Sequence, residues 1–223
     1  RAPQVTDLYR LQRNQVVGDI KSETLDSYEI GTRTQIGPVS ASLAGFYAEK
    51  DNFFFRDADG FNVTDGETSH RGIEFDGTTD LPLGFDLGVS GTYAVHQYEF
   101  DRPITSAAQQ TEAIRSGTDV DTAPRWTGNA RLGWEFMDRA RAELEYVFVD
   151  EYFVDAANVN EYDGHNVLNL RARVDVTDNV QVTGRIMNIG NVEFAERADF
   201  AFRSFRYFPG EPRTAYIGTS VSF

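Results

Sequence analysis

The sequence predicts an all-β fold, an antiparallel up-and-down β-barrel that crosses a membrane. Three observations predict it. Side chains alternate apolar and polar with a period of two along nearly the whole chain, with almost no helical period. Short turns and long connections alternate strictly, as in a meander with short turns at one rim and long loops at the other. The alternating segments run to about ten residues, the length of a tilted strand crossing a hydrocarbon layer, whereas strands of soluble domains centre on five or six.

Nine segments carry the pattern. Tyr28, Ile30, Thr32, Thr34 and Ile36 face away from Glu29, Gly31, Arg33 and Gln35 in the first. Val39, Ala41, Leu43, Gly45 and Tyr47 form the apolar side of the second, and Ile73, Phe75 and Gly77 that of the third. Phe85, Leu87, Val89, Tyr93 and Val95 oppose Asp86, Gly88, Ser90, Thr92 and His96 in the fourth. Trp126, Ala130, Leu132, Trp134 and Phe136 oppose Arg125, Thr127, Asn129, Arg131 and Glu135 in the fifth. The sixth sets Ala142, Leu144, Tyr146 and Phe148 against Arg141, Glu143 and Glu145. The seventh is the most regular, with Leu168, Leu170, Ala172, Val174 and Val176 against Asn169, Arg171, Arg173 and Asp175. Val180, Val182 and Ile186 oppose Gln181, Thr183 and Arg185 in the eighth. The ninth, Arg213 to Phe223, turns Ala215, Ile217, Val221 and Phe223 to one side and Tyr216, Ser220 and Ser222 to the other.

Tight turns are expected at Gly37-Pro38, Leu81 to Gly84, Met137 to Arg139 and Thr177 to Asn179, where Gly, Pro, Asp and Asn cluster. Long connections are expected at Lys50 to Glu67, Glu99 to Pro124, Phe153 to Gly164 and Ile189 to Pro212. Trp126, Trp134, Tyr93 and Tyr152 stand towards segment ends, where aromatic girdles meet the membrane interfaces.

Alternation alone does not say which face is inside. The apolar face mixes Ala, Gly and Thr with Leu and Val, which suits lipid contact better than an interlocking core. The polar face places opposite charges close together, as in Arg141-Glu143-Glu145 and Arg171-Arg173-Asp175, groups able to pair across neighbouring strands in a lumen. The apolar face is therefore assigned to outer-membrane lipid.

Composition limits the alternatives. A hydrophobic fraction of 40% resembles a soluble protein, but a membrane barrel hides its apolar residues in alternation. No apolar run is long enough for a spanning helix. With no Cys, neither a disulfide scaffold nor a thiolate metal site is available. A net charge of -14 argues against nucleic acid as a partner. Arg1-Ala2-Pro3-Gln4 lacks the basic-then-apolar segment of a signal peptide, so a removed signal or an internal part of a longer protein is expected.

Few residues suggest chemistry. His70, His96 and His165 lie far apart in sequence without metal-ligand spacing. Asp57, Asp59, Asn62 and Asp65 resemble an oxygen-rich calcium loop, but the spacing is incomplete and the closing Glu is missing. Glu143 and Glu145 share a face as an acid/base pair would, yet nearby Arg residues make an ion-pair network the simpler account. His165 beside Asp163 and Glu161 fits a hydrolase only loosely, and no nucleophile elbow or phosphate loop appears. The expectation is a non-enzymatic protein with no metal site and no cofactor.

Five motifs carry a family resemblance. "YFPGEPRTAYIGTSVSF" resembles the C-terminus of TonB-dependent outer-membrane receptors, where Pro-Gly-x-Pro-Arg leads into a last strand ending in Phe. "RIMNIGNVEFAE" is similar to their penultimate strand, in which Asn-apolar-x-Asn precedes an aromatic, here Ile189 and Phe194 in place of the usual Leu and Tyr. "RAPQVTDLYR", "ETLDSYEIGTRTQ" and "TSHRGIEFDGT" resemble further stretches of that family in the same order. The resemblance implies a 22-stranded barrel plugged by an N-terminal domain, located in the outer membrane of a Gram-negative bacterium. It also implies uptake of an iron-siderophore or similar scarce nutrient, energised through TonB. Residues 1–223 are then the C-terminal portion of the barrel, without the plug and the TonB box, and not transport-competent alone. An odd strand count agrees, because bacterial single-chain barrels have even numbers.

By the same resemblance, Phe223 is the mark read by the outer-membrane assembly machinery, and ligand contacts come from external loops, lumenal strand faces and the plug, which here points to the long loops Glu99 to Pro124 and Asn188 to Pro212. The loop from Asn188 to Pro212 combines Phe and Tyr residues with Arg197, Arg203 and Arg206, and with Tyr207 these are the candidate contacts to an anionic iron chelate. Interfacial anchoring and loop packing is the competing reading of that loop. Two other functions stay open: a small autonomous barrel acting as porin, adhesin or anchor, and a soluble lipocalin-like binder.

Overall fold

A computed structural model of the chain describes residues 21–56, 62–104, 112–201 and 204–222. Nine long strands form one antiparallel sheet: β1 (Thr24–Ile36), β2 (Val39–Arg56), β3 (Asn62–Leu81), β4 (Phe85–Tyr98), β7 (Trp126–Met137), β8 (Ala140–Val149), β11 (His165–Thr177), β12 (Val180–Met187) and β15 (Thr214–Val221). Spatial order follows chain order throughout, with β1 and β15 as the two edges. Three two-stranded hairpins fill the long connections: β5 (Arg102–Ile104) with β6 (Glu112–Ile114), β9 (Tyr152–Phe153) with β10 (Glu161–Tyr162), and β13 (Ala195–Ala201) with β14 (Ser204–Pro209).

The short turns lie where expected. Gly37 takes φ +58 at the first position of a two-residue hairpin loop, a conformation cheap only without a Cβ. Pro82–Gly84 forms a tight turn between β3 and β4 in which Leu83 and Gly84 both take positive φ, +65 and +79. The long connections differ from the sequence expectation. Lys50 to Glu67 is mostly strand, because β2 and β3 continue pairing to Arg56 and Asn62, and backbone groups that pair cost less than groups left open.

Register makes the two faces continuous. One transverse row joins Leu43, Phe75, Gly91 and Gly128, and another joins Leu87, Leu132, Leu144, Leu170, Ile186 and Ala215. Phe75 covers the bare backbone of Gly91, where a Cβ would lie 2.6 Å from the ring. At the short-turn end Phe85 stacks on Trp134 at 5.3 Å, and at the other end Tyr93 tilts against Trp126 at 4.7 Å, so aromatic pairs bracket the apolar band. Tyr152 does not join them: it is 8% exposed inside the loop region, where burial of its ring won over interfacial placement.

Among the described residues no protein layer covers the apolar face. Ile30 is 82% exposed and Ile217 85%, and Leu43, Ile73, Leu132, Leu144 and Ile186 are all open. A soluble protein does not leave so wide an apolar sheet in water. The buried strand residues Ala48, Ala94, Val167 and Asn169 instead lie on the polar face, the crowded side of a curled sheet.

The hydrophobic core lies in the loops. Tyr98, Ile114 and Ala156 form one cluster, with Phe53, Phe100 and Val120 against it. Tyr152, Val154, Ala195 and Ala198 form the other, with Val149, Tyr162 and Phe200.

Candidate functional site

The polar face carries a ladder of ion pairs at the short-turn end. Arg141 on β8 reaches across β7 to Asp86 on β4, with Nη1 2.5 Å from Oδ2 and Nη2 2.9 Å from Oδ1. Gly133 lies between them on β7, and a Cβ there would overlap both the guanidinium and the carboxylate. Arg171 on β11 binds Glu145 at 2.8 Å and Glu143 at 3.4 Å, and Asn169 donates to Glu145 at 3.0 Å. Glu143 and Glu145 are thus members of an ion-pair network. Together with Gln35, Ser40, Thr78 and Arg131, Asp86, Arg141 and Glu143 line a hollow of about 720 Å³.

The long-loop end is a packed cap. Asn158 accepts from Asp119 N at 2.7 Å and donates to Asp119 O at 2.8 Å, tying residues 112–125 to residues 150–164. Asp155, 2% exposed, accepts from Val159 N at 3.0 Å and Asn160 N at 2.8 Å, which fixes its turn. Tyr152 and Tyr162 accept from the Ala198 and Ala195 amides at 2.9 and 3.0 Å, seating the β13–β14 hairpin on residues 150–164. Tyr98 donates to Asp121 at 2.6 Å, and burial with that neighbouring carboxylate pushes the Tyr98 phenol well above its ordinary value.

The β13–β14 hairpin holds the candidate ligand contacts. Arg206 Nε lies 2.5 Å and Arg197 Nη2 3.4 Å from the Asp199 carboxylate, itself 7% exposed. Two guanidiniums thus share one carboxylate. Arg197 also lies 5.7 Å from the Phe208 ring centroid. Tyr207 stacks parallel to Phe205 at 5.9 Å and is 56% exposed. The structure therefore brings Arg197, Arg206 and Tyr207 onto one hairpin. Arg203 lies outside the described residues, as do Phe223, Asp57 and Asp59.

The two C-terminal motifs interlock below this hairpin. Asn188 (φ +51) and Asn191 (φ +49) adopt the left-handed conformation that Asn tolerates. The buried Asn188 side chain donates to Val192 O at 2.8 Å and Glu211 O at 3.1 Å, and accepts from Val192 N at 2.9 Å. Asn191 accepts from Arg213 N at 3.1 Å. The Phe194 ring occupies the space a Cβ on Gly210 would need, and Gly210 N donates to Phe194 O at 2.9 Å.

One juxtaposition escaped the sequence spacing. His70 and His96 face each other across β3 and β4 with Nδ1 atoms 2.8 Å apart. The signal was present: each stands thirteen residues from Leu83, the centre of the turn joining these strands.

An open-faced sheet with an apolar outer side, a charged inner wall and a loop cap at one end defines a segment of outer-membrane barrel. The model of the TonB dependent receptor-like β-barrel family matches residues 1–189, and the chain belongs to that family. It is a protein of the Gram-negative outer membrane. The vitamin B12 transporter BtuB of Photobacterium profundum is 22% identical over 217 residues, covering 93% of this chain and 32% of the transporter. The chain therefore spans about a third of the length of the curated relative it matches. Among solved structures, the copper transporter OprC superposes with a TM-score of 0.77 at 18% identity, over 100% of this chain and 36% of that one. The ferric yersiniabactin uptake receptor FyuA from Yersinia pestis superposes with a TM-score of 0.74 at 16% identity, over 90% and 30%.

Proposed function

We propose that the chain is the C-terminal part of the barrel of an active transport receptor, which takes up an iron-siderophore or similarly scarce nutrient with energy delivered through TonB. The observation that carries this reading is the pairing of two surfaces on one sheet. The outer side is apolar and uncovered, while the inner side presents the Arg141–Asp86 and Arg171–Glu145 pairs. Lipid suits the first, and a polar domain or cargo within the lumen suits the second. The relatives named above are transporters and receptors, and the function proposed here is likewise binding and passage, not catalysis.

Within this reading Arg197, Arg203, Arg206 and Tyr207 contact an anionic, aromatic-bearing chelate at the loop cap. Tyr207 and Phe205 supply an exposed stacking platform, and the guanidiniums compete between Asp199 and the ligand. Phe223 serves as the mark for the outer-membrane assembly machinery. In the full-length receptor, uptake of labelled ferric siderophores and cobalamin is measured in cells with and without TonB. Uptake of one ligand that disappears without TonB is expected, and equal uptake in both strains overturns the reading. Replacing Arg203 and Arg206 by Ala should weaken binding of that ligand tenfold or more; unchanged affinity removes the hairpin from the ligand site.

A further inference from the structure

His70 and His96 form a directly opposed pair in the β3–β4 ladder, on the same face as Ala48 and the inner wall. Their ring centroids are 5.0 Å apart with planes inclined by 56°, and their Nδ1 atoms converge to 2.8 Å. At that separation at least one Nδ1 carries no proton, since two N–H groups cannot point at each other. Thr68, 3% exposed, stands on the same face with Oγ1 3.0 Å from His70 Nε2. A hydroxyl accepting from Nε2–H selects the tautomer with Nδ1 bare, and metal-ligating imidazoles are held by the same kind of partner.

The pair lies just above the apolar band. Beyond Ile73 and Tyr93 the outward side of β3 and β4 sets Val95 beside Arg71 and Gln97, and Arg71 donates to Gln97 there at 2.7 Å.

The spacing fits an ion. With metal–nitrogen bonds of about 2.0–2.1 Å, two imidazoles bound at angles between a right angle and a tetrahedral one stand about 2.8–3.4 Å apart. To hold one ion the two rings open by at most a few tenths of an ångström and turn so that both Nδ1 lone pairs converge on it. Among the described residues no third His, Cys, Asp or Glu joins the group.

We propose that His70 and His96 chelate a divalent transition-metal ion of the Cu²⁺, Ni²⁺ or Zn²⁺ type on the inner wall beneath the loop cap. The test uses the full-length receptor in detergent with Cu²⁺ alone, the tightest binder of the series. Electron paramagnetic resonance should show one Cu²⁺ equivalent coupled to two imidazole nitrogens. His96→Phe and His70→Phe should each lose that equivalent, and His165→Phe should retain it. Thr68→Val should keep the two-nitrogen spectrum and weaken binding about 10–100-fold through loss of the second partner. An unchanged Cu²⁺ stoichiometry in a correctly assembled His96→Phe receptor overturns the proposal. On the unaltered protein, Cu²⁺ should protect His70 and His96, and not His165, from diethyl pyrocarbonate; equal modification with and without the ion overturns it independently of how the variants fold. Both measurements read the ion alone, so failure here leaves the transport reading untouched, and failure of the transport reading leaves this site standing.

Discussion

Single residues set the geometry of this sheet where the pattern alone would not. Asn188 is the clearest case, since its backbone takes φ +51 while its amide satisfies three backbone groups. Asn188→Asp keeps the tolerated conformation but loses both donors, leaving a carboxylate against the Val192 and Glu211 carbonyls. A loss of about 1–3 kcal/mol is expected for such an unsatisfied buried site, read as a lower urea midpoint and faster amide exchange in residues 188–213 of the full-length receptor. Gly133 acts by absence, as the ion pair between Arg141 and Asp86 crosses β7 only because position 133 has no side chain. Gly133→Val should part that pair and lower stability by about 1–3 kcal/mol, within the range for a disrupted side-chain network. Gly133→Val together with Asp86→Ala should then cost less than the sum of the two single changes, which a double-mutant cycle measures.

At the scale of elements, the loops are built as a folded layer. Residues 150–164 are anchored on one side by Asn158 and Asp119 and on the other by Tyr152 and Tyr162. His165 opens β11 where these contacts meet, with Nδ1 3.0 Å from the Tyr162 hydroxyl and its ring 4.6 Å from that of Phe194. Burial lowers its proton affinity in the folded protein. Above the ordinary His range neither the folded nor the opened loop takes up a proton. As pH falls through that range the opened form protonates first, so opening gains and the contact is lost. Limited proteolysis of the full-length receptor should cut residues 150–164 faster at pH 5 than at pH 7.5, and His165→Asn should flatten that difference. Equal rates for the unaltered protein at both pH values would count against the role of His165.

For the whole molecule, the decisive property is an edge on each side. β1 pairs only with β2 and β15 only with β12 among the described residues, and unpaired strand edges are not tolerated in hydrocarbon. The sheet therefore requires further strands to close. Cells expressing residues 1–223 alone should take up no ferric siderophore or cobalamin above background, and uptake by them would refute the idea that this segment is one part of a larger pore.

Much of this architecture was legible in the sequence. The period of two, as in Leu168 to Val176, fixes which residues share a face, because side-chain direction in a strand depends on local geometry alone. The turns at Gly37-Pro38 and Pro82–Gly84 were equally local. Spacing along the chain did not show that His70 and His96 meet, that Arg197 and Arg206 share Asp199, or that Tyr152 is buried. Nor did it show that the core lies in the loops. Those facts depend on register across strands and on how three hairpins stack, which arise from contacts between residues distant in the chain. Local alternation determined the two faces and the class of protein; only the tertiary structure decided which side chains meet on them.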